Sequence, residues 1–98
     1  YMEKHPVDAV IALDTDASFA SYKVARDLNK KIPDDIAVIG YVSERMAPYL
    51  APELTTINQH SFTMGKTAAT LLLEQLEQKT STNYSVVIDS TLSQRDSS

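Results

Sequence analysis

The chain has 98 residues, with 9 Lys and Arg against 13 Asp and Glu, a formal charge of −4, and 43% hydrophobic against 22% charged residues. This is the profile of one small globular domain, or a piece of a larger one, and not of a disordered tail. No cysteine is present and the histidines are only His5 and His60, so a disulfide scaffold, a zinc ribbon, a thiol nucleophile and a histidine-rich metal site are excluded. The acid excess speaks against nucleic-acid contact by this segment itself, because neutralising phosphates takes clustered Lys and Arg. The longest apolar runs fall far short of the ~20 residues a membrane span requires, and Tyr1 to Pro6 does not read as a signal peptide.

Short unbroken apolar runs are the pattern of strands buried on both faces, as in a parallel sheet covered by helices. Ala9–Leu13 is the first such run and Ile36–Ile39, followed by Gly40, is the second. Asp16 to Lys30 reads as a helix between them, with Asp14, Thr15 and Asp16 offering oxygens to its first amides and Pro33 preventing continuation. Strand, helix and strand together make a βαβ unit. Ser43–Ala47 allows one short helical turn before Pro48, and Ala51-Pro52 keeps the next stretch extended. Leu54–Asn58 suits a strand through its β-branched residues. Met64 to Gln78 reads as a second helix, with Met64, Gly65, Ala68, Ala69, Leu72 and Leu76 on one stripe. Thr80–Asn83 reads as a polar loop, Ser85–Asp89 as a last strand, and the tail from Ser93 to Ser98 as frayed.

Projected at about 100° per residue, the first helix gathers Ala17, Ala20, Ser21, Val24 and Leu28 on the face expected to pack on the sheet. Phe19, Tyr22 and Arg26 fall nearly opposite. Aromatics and Arg are enriched in protein–protein interfaces, so this face is expected to meet a partner unless loops of the same chain cover it. In an open α/β sheet, ligands bind beyond the carboxyl ends of the strands. That rule selects Asp14-Thr15-Asp16, Gly40-Tyr41-Val42-Ser43 and Asn58-Gln59-His60. Asp14 reads equally as a ligand acceptor and as a helix cap, whereas Asp16 reads as a cap. Tyr41 can stack on a sugar or base face. Only Gly40 and Gly65 are present, so neither a phosphate-binding glycine loop nor a serine nucleophile elbow can be drawn, and nothing marks a catalytic residue, a metal ligand or a cofactor.

Three stretches in order, Val7-Asp8-Ala9-Val10-Ile11-Ala12, Pro33 to Tyr41 and Tyr49 to Gln59 followed by Met64-Gly65, resemble the LacI/GalR family of bacterial transcription regulators. The resemblance implies a partial type I periplasmic-binding-protein-like fold, α/β and Rossmann-like, its parallel sheet flanked by helices. Residues 1–57 and 84–98 would form the carboxyl-terminal subdomain of the effector-binding core, 61–80 a helix of the other subdomain, and the DNA-binding domain would lie upstream. It further implies a cytoplasmic, non-enzymatic, ligand-responsive regulator without a cofactor. Its partners would be a sugar-like effector, a second copy forming a homodimer, and operator DNA only through the upstream domain, with no membrane. The effector-binding positions it implies fall on Asp14 and Val42, and the strand-end rule adds Tyr41 and Gln59. The dimer positions it implies fall on Phe19, Tyr22, Lys23, Tyr49 and Leu50, and the helix projection adds Arg26. The family's frequent Asp after the Gly-aromatic pair is replaced here by Val42, whose side chain cannot hydrogen-bond. The rival within the same fold is a periplasmic sugar-binding protein of a transport system. A flavodoxin-like enzyme domain is a distant third.

Overall fold

A computed structural model describes residues 1–78 and 85–98; the expected loop Thr80–Asn83, the end of the 61–80 segment and residue 84 lie outside them. The elements are β1 (Ala9–Ile11), α1 (Thr15–Asp27), β2 (Ala37–Gly40), a 3-10 turn (Ala47–Tyr49), β3 (Thr55–Asn58), α2 (Ser61–Gln78) and β4 (Thr91–Ser93). The chain divides into two compact units. One comprises Tyr1–Asn58 with Thr91–Ser98, the other Gln59–Ser90.

The first unit holds all four strands, in the order β1-β2-β3-β4. β1 pairs parallel with β2 (Val10 opposite Val38) and β2 with β3 (Gly40 opposite Thr56). β4 is antiparallel to β3, with Ile57 opposite Leu92, so the sheet is mixed and not purely parallel. The expected two-sided burial is met only in part: on β2 the Ile36, Val38 and Gly40 face is enclosed while Ala37 and Ile39 are half-buried, and the start of β3, Thr55 and Thr56, is enclosed on both faces. β1 does not meet it, because it is the edge strand and α1 packs against β2; Ile11 is 61% exposed.

α1 starts at Asp14, whose side chain accepts from the Ala17 amide at 2.7 Å. It stops before the expected Lys30 because Asn29 turns left-handed (φ 54°) and the Lys30 amide bonds back to the Ala25 carbonyl, a common helix-ending arrangement. Its buried face centres on Ser18 and Ala25, so the expected stripe is displaced: Ala20 is exposed, and Tyr22 turns partly inward. Tyr22 packs with Ile32 and Leu50 against the core of Val38, Val42, Ala47 and Leu54, and its hydroxyl donates to the Pro52 carbonyl at 2.6 Å. Burial raises the Tyr22 pKa above its ordinary value, a hydrogen bond with Ser97 working the other way.

The tail is not frayed. Val38 donates its amide to the Ser97 carbonyl (2.8 Å), Ser97 donates its own to Glu53 (3.0 Å), and the Ser97 hydroxyl accepts from the Thr55 amide (2.8 Å) while donating to the Val38 carbonyl. Ser97 is fully buried. The last strand likewise falls on Thr91–Ser93 and not on Ser85–Asp89, because residues 91–93 hold the backbone register opposite β3. Val86 and Val87 stay exposed despite their β-branched side chains.

In the second unit, α2 begins at Ser61, three residues earlier than its apolar pattern implies. It buries none of its described residues, and Met64, Leu72 and Leu76 of the expected stripe are more than half exposed. Thr67, Leu71 and Gln75 form its half-buried row, and Thr67 and Leu71 share a depression with Ser85, Val86 and Ile88.

Gly40 marks a close helix-to-sheet approach. A Cβ there would meet Ser18 Oγ at 2.3 Å, Ser18 Cβ at 3.0 Å and Leu54 Cδ2 at 3.1 Å. Gly40→Ala is therefore expected to destabilise the protein by about 1–3 kcal/mol, an overpacking cost that Ser18→Ala in the same chain relieves in part. Urea denaturation checks this, and an unchanged midpoint would contradict it.

Candidate functional site

The parallel arrangement of β1 and β2 brings their carboxyl ends to the same edge, and the loops that follow carry Asp14-Thr15 and Tyr41-Val42. Thr15 joins these loops: its hydroxyl donates to the Tyr41 carbonyl at 3.1 Å. Asp14 is exposed and caps α1 with one carboxylate oxygen, so its capping role is realised. Capping does not remove it from ligand chemistry, because a carboxylate accepts through two oxygens. Tyr41 is half-buried.

Val42 is different. Its side chain is buried in the core with Val38, Ala47 and Leu54, so at this position only the backbone can meet a ligand. Gln59 is exposed and belongs to the second unit, one residue past the end of β3. The strand ends thus bring Asp14, Tyr41 and Val42 together within one unit.

The positions expected to meet a second copy also divide. Phe19, Lys23, Arg26 and Tyr49 are exposed, Tyr49 at 83%. Tyr22 and Leu50 lean on the core and hold the fold as well. An open groove of about 940 Å³ runs beside α1, lined by Phe19, Tyr22, Lys23, Arg26, Lys30 and Lys31 among others. Lys23 is partly neutralised by Asp27 one turn on, an exposed pair of small energetic weight. Apolar, aromatic and basic side chains thus line this groove together.

Sequence reasoning missed a polar cluster beneath the second loop. Glu44 accepts from the Thr56 hydroxyl at 2.7 Å and pairs with the Arg95 guanidinium. Arg95 also donates to the Leu54 carbonyl (2.9 Å) and to Thr56 Oγ1 (2.8 Å), and its amide to Thr55 Oγ1 (2.9 Å). Partial burial acts to raise the Glu44 pKa, but hydrogen bonds from Thr56, Arg95 and Ser93 and the Arg95 charge outweigh it, and the carboxyl sits below its usual value. Its stabilising contribution is present above the ordinary carboxylate pKa and is lost as pH falls through the lower folded value. No periodicity marks a lone Arg in a polar tail, so no sequence signal reveals this cluster. Among the described residues, no group of three or more His, Cys, Asp and Glu can hold a metal, and no helix is long and apolar enough to cross a membrane.

The family model of the periplasmic binding protein-like domain matches residues 1–98. The chain belongs to this family. Among its relatives, the HTH-type transcriptional regulator CelR of Thermobifida fusca is 32% identical over 91 residues, 93% of this chain and 27% of the relative. The solved complex of the transcriptional regulator CelR with cellobiose superposes with a TM-score of 0.90 at 31% identity, over 99% of this chain and 30% of that one. A LacI family transcriptional regulator from Enterococcus faecalis V583, with bound ribose, gives a TM-score of 0.89 at 34% identity, over 98% of this chain and 36% of that one. The resemblance to LacI-type regulators read from the sequence is borne out, and so is the α/β periplasmic-binding-protein-like fold. The chain spans about a third or less of these relatives' length, and they are named as regulators, not enzymes or transport proteins.

Proposed function

We propose that these 98 residues are the effector-sensing and dimerising segment of a cytoplasmic, ligand-responsive transcription regulator. The observation that carries the reading is the joined pair of loops at the carboxyl ends of β1 and β2, in a domain similar to sugar-bound LacI-type regulators. Asp14 accepts hydrogen bonds from ligand hydroxyls, Tyr41 offers a ring face and Val42 contributes backbone groups; Gln59 is a further candidate through its side-chain amide. Residues 1–58 and 91–98 form one subdomain of the effector core, and the segment that includes α2 and, against the expected bounds, residues 85–90 belongs to the other, with operator contact made by an upstream domain. The ligand is a sugar or a related metabolite, read with fewer side-chain hydrogen bonds beside β2 because the Val42 side chain is enclosed. The transport reading is less well supported, since the matched relatives are regulators.

The second copy docks on the exposed face of α1 through Phe19, Lys23 and Arg26, with Tyr49 beside them and Tyr22 and Leu50 backing the surface from the core. Because Tyr22 also supports the fold, the informative variant spares it. Phe19→Ala with Arg26→Glu in the full-length protein is expected to convert dimer to monomer in sedimentation at micromolar concentration. A variant that still sediments as a dimer would overturn this interface.

Ligand sensing is tested by calorimetry of the full-length protein with cellobiose and ribose. At least one is expected to bind with a dissociation constant of about 1 mM or tighter. Asp14→Asn, which retains a good capping side chain, is expected to weaken that binding at least tenfold, about 1.4 kcal/mol, at an unchanged melting temperature. Binding equal to wild type would remove Asp14 from the site.

A further inference from the structure

The side chain of Glu44 stands at a junction that sugar reading alone does not require. It lies on the loop after β2, two residues past Val42, so it shares a short backbone segment with Tyr41 and Val42. Its carboxylate reaches away from that loop to two other places: the Thr56 hydroxyl on β3 and the Arg95 guanidinium two residues beyond β4. β3 and β4 are the strands by which the chain leaves for residues 59–90 and returns, and Asn58 opposite Thr91 is their last pair before it does so. One carboxylate therefore fastens the candidate ligand loop to both connections.

The surroundings make this a stiff fastening. Thr55 and Thr56 are fully buried, and Arg95 is held by the Leu54 carbonyl, the Thr56 hydroxyl and, through its amide, Thr55. Arg95 presents a planar fork whose donors are spread over β3 and Glu44, an arrangement a lysine cannot reproduce. Among the described residues, no buried side-chain nitrogen or oxygen is left without a partner. A partly enclosed network of charge-assisted bonds resists rearrangement, since moving one member strips partners from the others. A displacement of the loop at Tyr41-Val42 thus pulls on Thr56 and Arg95 together.

We infer that Glu44 and Arg95 form a coupling pair, positioning residues that transmit displacement of the 41–46 loop to the β3–β4 connection. The role rests on the regulatory reading above, in which a ligand moves that loop; the mechanical link itself does not need the ligand. The test is amide hydrogen exchange on the unliganded full-length protein, comparing wild type with Glu44→Gln and Arg95→Lys. Glu44→Gln keeps the size of the side chain and removes its charge. Arg95→Lys keeps the charge and removes the fork.

Both variants are expected to speed exchange at least tenfold in the 41–46 loop and at 56–58 and 91–93 together, while β1 and α1 keep wild-type rates. Acceleration confined to the loop, or to the strands, would overturn the coupling, and so would wild-type rates throughout. If Glu44→Gln accelerates every region alike, it has unfolded the protein as a whole, and Arg95→Lys then decides by the same criteria. Sugar binding plays no part in this measurement. A failed calorimetric test therefore strikes the regulatory reading alone, and a failed exchange test strikes the coupling pair alone.

Discussion

Below the Ile39–Thr55 pair, β2 and the segment entering β3 are bridged by Ser97, which takes the Val38 amide, gives its own to Glu53, and places its hydroxyl between the Thr55 amide and the Val38 carbonyl. A net value of about 1 kcal/mol per hydrogen bond is modest, but stripping such partners from fully buried groups costs about 1–3 kcal/mol each. This last turn of chain thus holds the central strands together near where they begin, and brings Arg95 to the loop that carries Tyr41 and Val42. The geometry of the candidate site descends from that seat: strand ends at one edge, Thr15 joining two loops, and Glu44 fastened below them.

What the sequence discloses follows from which interactions are local. Apolar runs and an acid-rich helix start locate β1, α1, β2 and β3 to within a few residues, because burial and capping act on neighbouring positions. The rotation of α1 is not local. It is set by Gly40, whose missing side chain admits Ser18, so the helix turns its Ser18–Ala25 line to the sheet and draws Tyr22 inward. Arg95 and Ser97 escape notice for the same reason: their partners lie about 40 to 60 residues away, and a polar tail has no pattern that reveals a buried role. Ser85–Asp89 misleads in the opposite sense. Its valines favour a strand, but β-propensity mostly expresses packing, and residues 91–93 hold the register beside β3. At the candidate site, Asp14 and Tyr41 are legible from the strand-end rule, whereas the inward turn of Val42 follows from tertiary packing.

In the proposed function the chain supplies one side of a ligand site and a surface for a second copy. An effector that binds one arrangement of such a core better than another shifts the population between them, by no more than its difference in affinity. A coupling of about 1–3 kcal/mol changes operator affinity by roughly 5–150-fold. On the proposed reading, the Glu44–Arg95 pair is the route by which that difference leaves the candidate ligand loop, and exposed Phe19 and Arg26 on α1 are the surface through which a partner subunit would feel it.

The most direct test of the regulatory account is operator affinity of the full-length protein, followed by fluorescence anisotropy with and without a saturating sugar that calorimetry has shown to bind. The account predicts a change of at least fivefold, in either direction. Equal affinity in the presence and absence of the bound sugar would contradict it.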